Sequence, residues 1–170
     1  WSHKSWSAWP EDREGFSIDL AKATKVIRTH ARDSFRPWFR APGGYMAPWM
    51  ASILTEQGYV LDTSINPSWL VKRKAGKGNS WPDVALALRQ NGVVSRPWKT
   101  HYSLPVNGPA LFLFPLSLIA KRAWKKLPAP FTEAILEPKL TSQDSKVTTV
   151  YWHLLDHARK NGKWIPPFKY

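Results

Sequence analysis

No cysteine occurs in the 170 residues, which excludes disulfides, thiolate metal sites and a cysteine nucleophile. Acidic residues are also scarce: 12 Asp and Glu face 25 Lys and Arg, a net charge of +13. That deficit predicts attraction to anions, whether nucleic acid, acidic polysaccharide or an anionic lipid surface. Long apolar runs are lacking. The longest, PALFLFPLSLIA (109–120), is too short to span a bilayer and is broken by Pro109 and Pro115. No helix-turn-helix, RNP-like or zinc-finger pattern is present, which weighs against nucleic acid as the partner. Internal repeats, low-complexity segments and a second-domain boundary are absent too, so residues 1–170 read as a single domain. What is present suffices for a core: 43% of residues are hydrophobic against 22% charged, which excludes wholesale disorder.

The periodicities give an α/β rhythm. Residues 14–31 read as a helix with Phe16, Leu20, Ala23 and Ile27 on one face. RPWFRAP (36–42) is strand-like, Pro48 suits the first turn of a helix reaching residue 57, and Gly58 ends it. YVLDTSI (59–65) alternates as a strand, completing a βαβ unit that implies a parallel sheet or barrel. Residues 66–82 form a basic, glycine-containing loop. VALAL and GVVSRPW read as short strands around an Asn91-Gly92 turn. A helix is expected over 115–127, a strand within FTEAILEPKL (131–140), and a closing helix over 144–161 started by Asp144 or Ser145.

One stretch concentrates chemistry. In FRAPGGYMAPWMASILTEQGYVLDTSINP (39–67), Arg40, Gly43, Gly44 and Asp62 fall at or just beyond strand ends, where βα folds place their sites. An arginine there can hold a carboxylate ionised, and glycine lets backbone approach a ligand closely. The pattern R-A-P-G-G, a helix, then G-Y-V-L-D-T-S resembles the polysaccharide deacetylases of the NodB-homology type, carbohydrate esterase family four. The N-terminal W-S-H resembles the end of that family's second motif, and the closing LLDHARKNGKWI resembles its terminal helix and strand.

The resemblance implies an irregular (β/α) barrel whose N-terminal strand or strands, with the aspartate motif, would lie upstream of Trp1. It implies zinc or another divalent metal, for which His3 would be one ligand. The implied activity is hydrolysis of N- or O-acetyl groups on a cell-envelope or exopolysaccharide glycan, outside the cytoplasm. Arg40, Asp62 and Glu137 are the catalytic candidates, Glu137 standing where the family places a late histidine. Gly43, Gly44, Tyr45 and Trp69 are the candidate substrate contacts. This chain departs from the family at Gly43, usually an aromatic, and at Glu137. The partner would be an acetylated polysaccharide or lipid-linked glycan, with an anionic polymer or membrane surface favoured by the charge.

Two other features carry weaker chemistry. His153 and His157 in HLLDH share a helix face at i and i+4 and resemble an inverted zinc-peptidase pattern, with Asp156 where glutamate is required. The basic, tryptophan-bearing runs 70–81 and 120–127 suit polyanions. The alternative to an enzyme is therefore a non-catalytic relative that binds a glycan or polyanion.

Overall fold

The computed structural model describes residues 11–68, 74–101, 104–105, 118, 122, 137 and 139–149. Helix α1 (Arg13–Ala31) leads, followed by β1 (Trp38–Phe39), α2 (Met50–Glu56), β2 (Leu61–Asp62), α3 (Trp81–Gln90) and β3 (Val94–Ser95). A separate antiparallel pair, β4 (Thr100–His101) and β5 (Leu104–Pro105), comes next. Strands β1, β2 and β3 lie side by side in chain order and are parallel. Parallel neighbours need a crossover, and α2 and α3 supply the two. The described chain is thus two successive βαβ units preceded by a helix.

Helix α1 starts where Asp12 accepts a hydrogen bond from the Gly15 amide at 2.8 Å. Its buried face is Phe16, Leu20 and Thr24, at i, i+4 and i+8. The expected Ala23 and Ile27 stay exposed, Ile27 at 48%. Thr24 is accommodated because its hydroxyl bonds the Leu20 carbonyl at 2.7 Å and the Tyr59 hydroxyl at 2.6 Å. Phe16 meets Phe39 and Trp49 edge-on, at 6.0 and 5.6 Å between ring centroids, and so seats α1 against β1 and the start of α2. Met50, Ile53 and Leu54 of α2 and Val84 and Leu88 of α3 complete the same cluster.

Residues 84–88, expected as a strand, belong to α3. The alternation of V-A-L-A-L also fits a helix, with Trp81, Val84 and Leu88 buried while Leu86 is 55% exposed. The start is fixed by a capping box: Ser80 accepts from the Asp83 amide, and the Asp83 carboxylate accepts from the Ser80 amide at 2.6 Å, with Pro82 in the first turn. Asn91 and Gly92 are then not a hairpin turn. They end α3, with Gly92 at φ 74°.

Two further expectations are corrected. Glu137, Lys139, Leu140 and Thr141 are helical, not a strand, and the Thr141 hydroxyl bonds the Glu137 carbonyl one turn back at 3.0 Å. Residues 144–149, expected to open the closing helix, form a turn and an extended run in which Thr149 bridges Trp98 in parallel. The remainder of that helix and most of 115–127 lie outside the described residues.

Candidate functional site

In a parallel sheet all strands leave at one edge, and the residues that follow them here are Arg40, Thr63 and Arg96. The register places Phe39, Asp62 and Ser95 in one row, hence on one face of the sheet. That face is the helix-covered one, since Phe39 packs on Phe16. Asp62 is therefore a carboxylate at the end of the central strand beneath the helices, with 0% exposure.

Its charge is supported locally. One Asp62 oxygen accepts from the Ser64 amide at 2.9 Å and the other from the Ser64 hydroxyl at 2.6 Å. The Ser64 oxygen in turn accepts from the Ala41 amide at 2.8 Å, which ties the end of β1 to the end of β2. Burial raises the Asp62 pKa from 3.8 to about 6, against the opposing pull of the Ser64 bonds and the Arg40 charge. Desolvation outweighs these supports. The buried polar row continues beyond the strand: Asp62, Ser64, Asn66 and Ser68 alternate along the chain, all buried, and Asn66 accepts from the Ser68 amide at 3.1 Å.

Within electrostatic reach of this carboxylate lies a cation on an aromatic platform. The Arg40 Nε donates to the Thr63 hydroxyl at 2.8 Å, and its guanidinium carbon sits 5.3 Å from the centre of a Trp98 ring. Trp98 is held in turn by its indole N–H, which donates to the Thr63 carbonyl, and by its amide, which donates to the Ile65 carbonyl at 2.9 Å. Burial lowers the Arg40 pKa, and nearby Asp62 partly restores it.

The loop after β1 forms the rim. Gly43 and Gly44 are consecutive left-handed residues, at φ 64° and 75°. A Cβ on Gly44 would lie 3.9 Å from both the Trp98 ring edge and the Lys74 side chain, so these two border it. Lys74 donates from Nζ to the Gly43 carbonyl at 2.6 Å, and burial lowers its pKa. Ser95, beside Asp62 in the row, has a buried hydroxyl with no hydrogen-bond partner among the described residues.

The structure thus brings Arg40, Asp62, Gly43 and Gly44 to one edge of the sheet. Tyr45 follows them but is packed inward, 4% exposed, and burial raises its pKa with a smaller push from Glu11. Glu137 is placed elsewhere. It pairs with Arg36, which precedes β1 and so belongs to the opposite end of that strand from Arg40. His3, Trp69, His153 and His157 lie outside the described residues.

Ser64, Lys74 and Trp98 are site residues that sequence reasoning passed over. The Asp-Thr-Ser string carried a signal for the first, because a serine two residues after an aspartate commonly closes a side-chain turn. Nothing in the local sequence of Trp98 marks it as the platform for Arg40.

Among the described residues no three His, Cys, Asp or Glu side chains converge, and both Asp62 oxygens are engaged by Ser64. The described part of the site does not fit a metal ion by itself. Compared with protein-family models, with curated proteins and with solved structures, the chain matches none.

Proposed function

We propose that the chain forms a carbohydrate deacetylase domain of the NodB type, whose substrate edge is the C-terminal edge of the parallel sheet. The supporting observation is the Arg40 guanidinium, stacked on Trp98 and close enough to buried Asp62 to feel its charge, at the strand end that leads into Gly43 and Gly44. In this reading the acetylated sugar lies across Gly43 and Gly44, where no Cβ intervenes. Arg40 faces the acetyl group and orients the carboxylate base contributed from outside the described residues. Asp62 is a positioning residue: buried and held by Ser64, it acts on Arg40 rather than on the substrate. Hydrolysis adds water to the acetyl carbonyl and breaks its C–N or C–O bond, releasing acetate and a free amine or hydroxyl. The zinc or other divalent metal implied by the motif resemblance would need ligands outside the described residues, His3 among them, and when bound would polarise the acetyl carbonyl. The setting is the cell envelope or an exopolysaccharide outside the cytoplasm.

A second reading, a glycan-binding relative without catalysis, draws on the full burial of Asp62, which keeps that carboxylate from touching a bound saccharide. Acetate release separates the two. The protein in its longest encoded form is incubated with N-acetylated chitooligosaccharide and with O-acetylated xylan, with zinc supplied. The enzyme reading requires acetate release that Arg40→Ala lowers about a hundredfold or more. Saccharide binding without any acetate release selects the binder.

A further inference from the structure

Helix α1 runs past the core it packs on. Its buried face ends at Thr24, and from Lys25 to His30 every residue is exposed, on all sides of the helix. Two of these are large and apolar, Val26 at 58% exposure and Ile27 at 48%. With the exposed Ala23 they stand at i, i+3 and i+4, which makes them one patch. The same stretch is basic: residues 20–32 include Lys22, Lys25, Arg28 and Arg32 and no Asp or Glu. Arg28 is turned over the Phe35 ring, 4.8 Å from its centre. Lys22, Lys25 and Arg32 are exposed and make no ion pair among the described residues.

The charge decides what can cover this tip. A second copy would bring the same cations together, on chains that each carry +13, so self-association there is opposed. A soluble polyanion would meet the lysines and leave Val26 and Ile27 in water. An anionic bilayer meets both needs: the aliphatic side chains enter the acyl boundary, and the lysines lay their stems along it and reach the headgroup phosphates. We infer that the C-terminal part of α1, residues 22–32, docks on an anionic phospholipid surface without crossing it. The helix runs from Phe39 and Trp49, which Phe16 meets, to Tyr59, which precedes β2 and bonds Thr24. Its tip therefore points past the end at which the strands enter, and a docked chain keeps the opposite edge, with Arg40 and Asp62, turned from the lipid.

Co-sedimentation of the full chain with vesicles tests it, using phosphatidylglycerol and phosphatidylcholine in equal parts against phosphatidylcholine alone. Partition onto the anionic vesicles is expected to be at least about tenfold stronger. Val26→Ser with Ile27→Ser, and separately Lys22→Gln with Lys25→Gln, should each weaken it by about tenfold or more. Two controls should stay within about threefold of the parent chain. One is Leu86→Ser, at an exposed apolar residue of α3; the other is Lys77→Gln with Arg89→Gln, which removes the same charge elsewhere on the surface. Circular dichroism establishes that each variant is folded, and the lysine pair carries the test if the serine pair does not fold. Equal partition onto the two vesicles, or none onto either, overturns the inference. So does a control effect as large as that of the lysine pair. Unchanged partition of the serine pair overturns it as well, assigning the binding to charge alone, as for a soluble polyanion. A dimer that the serine pair abolishes, without vesicle binding, overturns it in favour of a second copy. The deacetylase reading stands or falls separately, on acetate release.

Discussion

Replacing Asp62 with asparagine isolates what a buried carboxylate costs this fold. The folded-state pKa is about 6 against an ordinary 3.8, a gap worth about 3 kcal/mol. Between those two values the folded chain holds a proton at Asp62 that the unfolded chain has released. Its contribution to stability is therefore fully present below pH 3.8 and is lost as the pH rises through about 6. Asparagine keeps the shape and can still accept from the Ser64 amide. Its NH₂ must then donate to the Ser64 hydroxyl, which already accepts from Ala41, so the Ser64 proton loses its acceptor. That loss costs about 1–2 kcal/mol at every pH. At pH 7 or above, relief of the desolvated charge exceeds it, so Asp62→Asn should be about 1–2 kcal/mol more stable than the parent chain. At pH 4 it should be less stable by a similar amount. Urea unfolding followed by tryptophan fluorescence from pH 4 to pH 8 reads the difference. A difference that stays flat across that range, or that grows in favour of the parent chain as the pH rises, would refute the account of Asp62 as a carboxylate governed by desolvation.

Two more perturbations probe how the edge is held. Arg96, 7% exposed, donates to the carbonyls of Lys139, Leu140, Ser142 and Ser145, so Arg96→Met should lose about 2–4 kcal/mol in urea unfolding, with Arg96→Lys recovering less than half because an ammonium cannot span that fork. Gly44→Ala should cost about 1–2 kcal/mol by thermal unfolding, from the left-handed backbone alone, because its Cβ would meet nothing closer than 3.9 Å; a larger loss would mean that Trp98 and Lys74 cannot give way.

Much of the first half of the fold was legible from residue pattern. Helix α1, the placing of β1 and β2 around Arg40 and Asp62, and α2 between them follow from proline and glycine punctuation and from the apolar periods. Five alternating residues could not distinguish a strand from one face of α3, and the decisive signal lay outside them, in Ser80, Pro82 and Asp83. In AILEPKL the apolar run ending at Glu137 and Pro138 read as a strand end, yet such a pair is equally at home in the first turn of a helix. The approach of Arg40 and Asp62 was foreseeable because parallel strands share one exit edge. The contributions of Trp98 and Lys74 were not, since they come from chain 30 or more residues away in sequence and depend on how the loops fold back.

The alternating row Asp62, Ser64, Asn66 and Ser68 also bears on how the chain avoids misfolding. A strand whose two faces are both apolar can slide by one position with little penalty, since either face fits the core. Here a one-residue slip of the central strand would carry all four groups together to the other face of the sheet and part the Ser64 hydroxyl from the Ala41 amide, leaving that buried amide without its acceptor. Each group orphaned in this way costs about 1–3 kcal/mol. Leu61 and Ile65 would lose their places in the same movement. The row acts as a proofreading mark during folding: it contributes little attraction of its own, but it makes the neighbouring alignments unstable before the two crossover helices have docked.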